Sequence, residues 1–226
     1  MEIRSFQSQK DVVEAVVTGI TELADQAAPN KLNLVLTGGG IGIEVVRQLG
    51  VSEISPSQLH VIFCDERFVP ANSPDRNESQ ALQAWPDLSK ADLLAYPIPE
   101  VGLQQAAETF SQELNTEFGP VNQDADVFDL VLLGIGEDGH IASLFPGVQH
   151  PGKWIVSESS SPKPPSERLS LSYKALNRSK RVWFVTAGKQ KVDAVRRALE
   201  GEVPASLVSG TQETIWWIDK TISDEL

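Results

Sequence analysis

The stretch DLVLLGIGEDGH, residues 129–140, decides the fold of this chain. Its first part belongs to a short apolar run, residues 128–133, which predicts a buried strand. Three glycines, two acidic residues and a histidine follow at once. Strands that are apolar on both faces are typical of parallel sheets covered by helices on both sides. In such sheets ligands bind beyond the carboxyl ends of the strands, so this junction is a candidate site.

Segments on either side repeat the alternation of strand and helix. The apolar patterns predict strands at residues 32–36, 59–64, 154–156, 181–186 and 214–218. They predict helices at residues 10–28, with Ser8 as N-cap, and at 43–49, 103–118 and 189–199. We therefore predict an α/β fold, a mostly parallel sheet with helices on both faces in a Rossmann-like three-layer sandwich, forming a single domain over residues 1–226.

The composition excludes several function classes. The 226 residues are 41% hydrophobic and 22% charged, as in ordinary globular proteins. The formal net charge of −12 argues against nucleic-acid or anionic-membrane partners, although a few local cations can still hold a small anion. A single cysteine, Cys64, excludes an internal disulfide and a multi-cysteine metal site. His60, His140 and His150 are widely separated and lack metal-ligand spacing, so we expect no metal.

The distribution of apolar residues also bears on location. No apolar run reaches the roughly 18 residues that a membrane helix needs. The start, MEIRSFQSQKDVVEAVV, lacks the apolar segment of a signal peptide. We expect a cytoplasmic protein.

A glycine-rich loop, TGGGIG at residues 37–42, joins a predicted strand to a predicted helix. Glycines let backbone N–H groups approach a ligand, and the helix N-terminus adds partial positive charge, so Gly39 and Gly40 are candidates for binding a phosphate. The alternative is a tight strand-to-helix turn. It is not a Walker loop, because no Gly-Lys-Ser/Thr follows.

The charged triplet Asp65-Glu66-Arg67 ends a predicted strand and opens a long polar stretch. Its position at the carboxyl end of a strand favours a catalytic role. A structural cluster of salt bridges is the alternative.

Residues 134–139 formally match the dinucleotide pattern G-x-G-x-x-G. The two acidic residues inside the loop would repel a pyrophosphate, and Pro146-Gly147 limits any following helix to about two turns, so we discount the match. His140 is the more informative residue, since an imidazole titrates near neutral pH and can act as a general base. The alternative is a histidine that is only hydrogen-bonded in its loop. Ser143 is not expected to be a nucleophile, because no G-x-S-x-G elbow is present.

Three cations lie near predicted loops and could complete an anion site. Lys163 lies within the proline-rich segment SSSPKPPS, residues 159–166, Arg168 follows this segment, and Lys191 opens a helix after Gly188. Arginine can clamp a phosphate with two hydrogen bonds, while lysine supplies a point charge. Each of them could instead be a solvated surface charge.

These pieces, in this order, resemble the 6-phosphogluconolactonase family, which belongs to a larger group with the glucosamine-6-phosphate deaminases. Four segments carry the likeness: LTGGG at 36–40, DERFVP at 65–70 with Arg76-Asn77, FDLVLLGIGEDGHIASLFPG at 128–147, and the stretch from Arg168 through Gly188 and Lys191. The resemblance spans about residues 32–219.

The resemblance implies hydrolysis of 6-phosphogluconolactone to 6-phosphogluconate in the oxidative pentose phosphate pathway, without a metal or organic cofactor. It places the base on His140 and the phosphate-binding cations on Arg168 and Lys191, with main-chain donors from the glycine loop. Many relatives have Gly-Gly-Ser-Thr-Pro in that loop, whereas this chain has Gly-Gly-Gly-Ile-Gly and can offer only N–H groups there.

Residue type suggests the other roles. Arg67 is the candidate to stabilise the oxyanion, Asp138 to hold the tautomer of the imidazole, and Asp65 to organise Arg67. The expected partner is a small sugar-phosphate lactone, and we expect a monomer.

Two alternatives remain. A glucosamine-6-phosphate deaminase or isomerase shares the scaffold, but usually has an aromatic residue where Arg67 stands. A non-catalytic sugar-phosphate-binding module is the second, although nothing basic or helix-turn-helix-like precedes Leu32.

Overall fold

A computed structural model of the chain describes residues 1–148 and 152–226, so His150 lies outside the described residues. The strands, in chain order, are β1 Glu2–Phe6, β2 Leu32–Leu36, β3 Leu59–Phe63, β4 Asp65–Arg67, β5 Asp92–Leu94, β6 Leu130–Leu133, β7 Ile155–Glu158, β8 Arg168–Leu171, β9 Arg181–Thr186 and β10 Glu213–Asp219. The α-helices are α1 Gln9–Ala27, α2 Gly39–Leu49, α3 Asn77–Ala84, α4 Leu103–Phe118, α5 Tyr173–Leu176, α6 Val192–Leu199 and α7 Lys220–Ser223. Short 3₁₀ turns lie at Pro56–Gln58, Pro86–Lys90, Lys189–Lys191 and Pro204–Leu207.

Seven strands form one sheet in the order β1-β10-β9-β6-β2-β3-β5, and every neighbouring pair is parallel. Val131 and Leu132, successive residues of β6, are both 0% exposed. Because successive side chains of a strand point to opposite faces, both faces of this strand are covered. The expected α/β fold is confirmed.

Helix α1 shows how the local sequence sets an element. The side chain of Ser8 accepts a hydrogen bond from the backbone N–H of Asp11, which satisfies one of the free donors at the helix start. The apolar stripe that predicted the helix, including Val12, Val16 and Ile20, is buried in the core. The predicted helix at 103–118 and the strands at 32–36 and 181–186 also have the bounds that the structure shows.

A second sheet, which we call the small sheet, is antiparallel in the order β4-β8-β7. It corrects two expectations. The triplet Asp65–Arg67, expected to open a loop, is a strand of three residues, and residues 168–171, for which no strand was predicted, pair with it. The predicted strand at 154–156 is shifted to Ile155–Glu158 and lies in the small sheet. Such short strands form through tertiary pairing, which local periodicity does not reveal.

The edge strands β1 and β5 were also missed by the apolar pattern. Most residues of β1 are exposed or half-buried, so the segment lacks the apolar run that marks a central strand. In the described ranges, none of the helices is both long and apolar enough to span a membrane.

Candidate active site

A cavity of about 480 Å³ lies at the carboxyl ends of β2, β6 and β9. The loops that follow these parallel strands share one edge of the large sheet, and the small sheet closes the cavity from the side. Seven of the eight residues predicted for the site line this cavity: Gly39, Gly40, Asp65, Arg67, His140, Arg168 and Lys191. The eighth, Asp138, contacts the side chain of His140.

The glycine loop forms the first turn of α2. The helix begins at Gly39 and not near Ile43 as predicted, with Gly38 as N-cap. Gly39 has a φ of 76°, in the left-handed region that favours glycine, and both Gly39 and Gly40 are exposed at the cavity. The helix N-terminus therefore presents free N–H groups and partial positive charge to the cavity, as an anion requires.

His140 and Asp138 form a close pair in the loop after β6. This segment, residues 134–147, is called the His140 loop below. Oδ1 of Asp138 lies 2.5 Å from Nδ1 of His140 and also accepts the backbone N–H of His140 at 3.2 Å. Burial opposes ionisation of Asp138, but the hydrogen bonds and charge of His140 outweigh it and lower the pKa of Asp138 below its ordinary value. A carboxylate can only accept, so Nδ1 donates its proton to Asp138, and Nε2 is the nitrogen of a neutral ring that can accept a proton.

Gly136 makes this pair possible. A Cβ atom at Gly136 would lie 2.1 Å from Nδ1 of His140 and 2.6 Å from Oδ1 of Asp138. The described residues of the His140 loop contain no helix, which agrees with discounting the dinucleotide pattern. Gly136 therefore allows the side chains of His140 and Asp138 to approach each other.

Arg67 and Glu66, two members of the charged triplet in β4, have different surroundings and different roles. Arg67 lines the cavity, donates from Nη1 to the backbone oxygen of Asp75 at 2.6 Å, and has a buried Nε without a hydrogen-bond partner in the described structure. Glu66 is buried and accepts the backbone N–H groups of Arg67, Asn77 and Glu78 at 2.7, 2.7 and 2.9 Å. Burial raises the pKa of Glu66, and these donors oppose the shift. Glu66 thus caps the start of α3, so the structural alternative holds for this member of the triplet.

Asp65 contacts Arg168 and not Arg67. Its Oδ2 lies 3.8 Å from Nη1 of Arg168, whereas no ion pair joins Asp65 to Arg67 in the part of the chain that the structure describes. Asn77 donates from Nδ2 to the backbone oxygen of Asp65 at 2.8 Å. The expected link from Asp65 to Arg67 is therefore replaced by one to Arg168, because β4 and β8 pair side by side.

Arg168 supports the proline-rich loop at the cavity rim. Its Nε and Nη2 donate to the backbone oxygens of Pro165 and Lys163 at 3.1 and 2.9 Å. Burial lowers the pKa of Arg168, and Asp65 opposes the shift. Lys163, which the sequence marked as a candidate cation, is held at the cavity by these contacts.

Lys191 approaches from the turn after β9. Its Nζ donates to the backbone oxygen of Ile135 at 2.7 Å, at the start of the His140 loop. Burial lowers the pKa of Lys191, and the charge of Lys163 acts in the same direction, while Glu137 and Asp138 oppose it. Nearby cations that disfavour each other's charge are typical of a site that gains stability from a bound anion.

Asn77 and Thr37 also line the cavity, although neither was assigned to the site from the sequence. Asn77 is 1% exposed and lines the cavity, and its inclusion in the segment Arg76-Asn77 was the only signal for it. Thr37 is buried beside the glycine loop, and its Oγ1 accepts the N–H of Gly134 at 3.4 Å. Both positions depend on contacts between distant segments.

Comparisons with known proteins agree with this fold. A family model described as glucosamine-6-phosphate isomerases/6-phosphogluconolactonase matches residues 7–217. The 6-phosphogluconolactonase of Streptomyces coelicolor is 36% identical over 92% of this chain and 87% of its own length. That of Mycobacterium leprae is 36% identical over 96% of this chain and 95% of its own length. The crystal structure of a 6-phosphogluconolactonase from Thermotoga maritima has a TM-score of 0.81 at 26% identity, covering 97% of this chain and 99% of that chain.

Proposed function

The chain belongs to the family of glucosamine-6-phosphate isomerases and 6-phosphogluconolactonases, and we propose that within it the chain acts as a lactonase. It hydrolyses 6-phospho-D-glucono-1,5-lactone to 6-phospho-D-gluconate, a step of the oxidative pentose phosphate pathway. The observation that carries the mechanism is that His140, paired with Asp138, shares one cavity with the cations Arg67, Arg168 and Lys191.

The phosphate of the substrate binds among positive groups. Arg168, Lys191 and Lys163 supply charge, and the N–H groups of Gly39 and Gly40 at the start of α2 supply main-chain donors. Binding the phosphate fixes the lactone ring against the His140 loop. Binding of the distant phosphate thereby raises the rate of hydrolysis, since it holds the reacting atoms together.

The first chemical step is addition of water to the lactone carbonyl. Nε2 of His140 takes a proton from water as the water oxygen forms a bond to C1, and the C=O electron pair moves to the carbonyl oxygen. Asp138 stabilises the imidazolium that forms and holds the proton on Nδ1. A δ-lactone is an activated ester, so no covalent nucleophile is needed. Ser143 in particular does not act as a nucleophile, since it is 0% exposed and does not line the cavity, and its hydroxyl donates to Asp65 at 2.6 Å.

The second step opens the ring. Arg67 stabilises the oxyanion until the C–O bond to the ring oxygen breaks and the carbonyl re-forms. His140 returns its proton to the departing ring oxygen, which becomes a hydroxyl group. The product acid then ionises, and the enzyme is back in its starting protonation state.

The organisation of the chain is part of the proposal. We infer a single domain over residues 1–226 that acts as a monomer in the cytoplasm. The small sheet completes the cavity of the large sheet, which supports one folded unit. Sedimentation of the purified protein and cell fractionation test the monomer and the location.

A direct assay tests the reaction. Freshly generated 6-phosphogluconolactone is followed by 6-phosphogluconate formation, with an enzyme-free control because the lactone also hydrolyses spontaneously. We expect acid release well above the control, unchanged by EDTA, and no ammonia release from glucosamine 6-phosphate. Ammonia release without lactone hydrolysis would assign the chain to the deaminase branch, and loss of activity in EDTA that a divalent metal restores would reject the mechanism.

A further inference from the structure

Ser143 connects the His140 loop to the small sheet through two hydrogen bonds. Its Oγ donates to Oδ2 of Asp65, on β4, at 2.6 Å. Its backbone N–H donates to Oγ of Ser170, on β8, at 3.2 Å. Ser143 is 0% exposed, so neither bond competes with solvent. The loop that carries the proposed base is therefore joined to both neighbouring strands of the small sheet.

The backbone beside Ser143 is held in an uncommon conformation. Ala142 has a φ of 48°, in the left-handed region that residues with a Cβ rarely adopt. Ile141 and Leu144 are 0% exposed and form an isolated bridge with each other, which packs this turn into the core. Such a conformation persists only where the surroundings impose it, and the bonds of Ser143 are among the contacts that do so.

The same carboxylate oxygen contacts a phosphate-binding candidate. Oδ2 of Asp65 accepts a hydrogen bond from the hydroxyl of Ser143 and lies 3.8 Å from Nη1 of Arg168. The side chains of Asp65 and Arg168 are each 8% exposed, so water screens this contact little. A path of contacts thus runs from Ser143, three residues after His140 in the His140 loop, through Asp65 to Arg168.

We propose that Ser143 is a positioning residue that sets the distance between the base His140 and the phosphate-binding Arg168. This inference rests on the proposed function. Without the hydroxyl, Asp65 loses its closest donor and the His140 loop loses one of its two links to the small sheet. A phosphate held by Arg168 then no longer sets the lactone carbonyl accurately against His140, and phosphate binding contributes less to the rate.

The test compares two lactones that differ only in the phosphate. Values of kcat and KM are measured for 6-phosphogluconolactone and for D-glucono-1,5-lactone, in the wild type and in Ser143→Ala. We expect the ratio of kcat/KM between the two lactones to fall by about ten- to a hundredfold in the variant, mainly through kcat for the phosphorylated lactone. A change in KM alone, or an equal loss on both lactones, would mean a merely structural role and overturn the inference.

Ser179→Ala is the matched control. Ser179 is also 0% exposed, and its hydroxyl donates to the backbone oxygen of Leu176 at 2.8 Å, but it does not line the cavity. We expect this variant to keep the wild-type ratio. A fall in Ser179→Ala as large as in Ser143→Ala would show that loss of any buried serine hydroxyl has this effect, and would also overturn the inference.

A second variant covers failure to fold. Ser143→Cys keeps nearly the same volume but offers only a weak S–H donor, so the ratio should fall here as well. An unchanged ratio in a folded Ser143→Cys protein counts against the positioning role. If the wild type does not accelerate hydrolysis of 6-phosphogluconolactone above the enzyme-free rate, the proposed function itself is rejected, which separates that failure from this one.

Discussion

Oδ1 of Asp138 lies 2.5 Å from Nδ1 of His140, so the carboxylate fixes which imidazole nitrogen holds the proton. The two residues are separated by Gly139 alone, and both belong to the loop after the buried strand β6. The side chain of His140 is half-buried, at 19% exposed, whereas that of Asp138 is exposed, at 45%. In a neutral imidazole held in this way, Nε2 is the nitrogen that can take a proton from water.

Replacing His140 tests the base directly. His140→Ala and His140→Asn should lower kcat by about 10²- to 10⁴-fold, the usual contribution of general base catalysis, with a much smaller change in KM. The measurement is a coupled assay with freshly generated lactone, corrected for the enzyme-free rate. Near-normal turnover in either variant would end the assignment of His140 as the base.

Gly136→Ala should disturb the pair without removing either of its members. The added Cβ would meet Nδ1 of His140 at 2.1 Å and Oδ1 of Asp138 at 2.6 Å, so the two side chains have to separate. We expect kcat to fall by about tenfold or more while KM changes little, because the phosphate-binding groups keep their positions.

A second glycine provides the control for this substitution. Gly102 precedes α4, has a φ of −66°, and a Cβ there would meet nothing within 4 Å. Gly102→Ala should therefore keep wild-type kinetics. Equal kinetics in Gly136→Ala and Gly102→Ala would contradict the role given to the pair of His140 and Asp138.

Arg168→Ala should mainly weaken substrate binding. A hydrogen-bonded charge contributes about 1.5–3 kcal/mol, which corresponds to a rise in KM of about ten- to a hundredfold. Inhibition by inorganic phosphate should weaken in parallel, since the phosphate uses the same guanidinium. Circular dichroism controls for the loss of the contacts to Pro165 and Lys163. A folded variant with unchanged KM would remove Arg168 from the phosphate site.

The pH dependence of ligand binding should report Lys191. Burial and the charge of Lys163 lower the pKa of Lys191 below its ordinary 10.5, and a bound phosphate favours the protonated form. Lys191 strengthens phosphate binding when it is protonated. Below the pKa that Lys191 has in the free enzyme this contribution is present, and it is lost as the pH rises through that pKa. Affinity for the product 6-phosphogluconate should therefore decline in an alkaline range that begins below 10.5.

Lys191→Arg and calorimetry check this prediction. Product binding is measured in place of turnover, because the lactone hydrolyses spontaneously. An arginine stays charged throughout, so the decline should be absent in the variant. The same alkaline decline in Lys191→Arg would assign the titration to another group.

Much of the large sheet could be predicted from local pattern. Strands β2 and β9 and helix α4 have the predicted bounds because their apolar residues follow one period throughout. The edge strand β1 escaped prediction, since its exposed residues leave no apolar run. The start of α2 was placed too late, because glycines at 39 and 40 disfavour a helix locally, whereas here the loop and its neighbours impose one.

Part of the site could likewise be predicted from the sequence. His140, Arg67 and the glycine loop follow strands of one sheet, and the carboxyl ends of parallel strands meet at a single edge, so their convergence follows from the fold class. The link from Asp65 to Arg168 did not follow, because it depends on the pairing of two strands separated by 100 residues of chain, Asp65–Arg67 and Arg168–Leu171.

The sequence by itself determined the alternating architecture, the acidic surface, and the residue types that could act as base and as phosphate-binding cations. The sequence also paired Asp138 with His140. Only the tertiary structure decided the partners of the other two carboxylates: Glu66 caps the start of α3, and Asp65 contacts Ser143 and Arg168. The physical reason is the separation along the chain over which each kind of interaction acts. Hydrophobic periodicity acts within a segment, whereas the hydrogen bond from Ser143 to Asp65 at 2.6 Å and the ion pair of Asp65 and Arg168 at 3.8 Å require the folded chain to bring distant segments together.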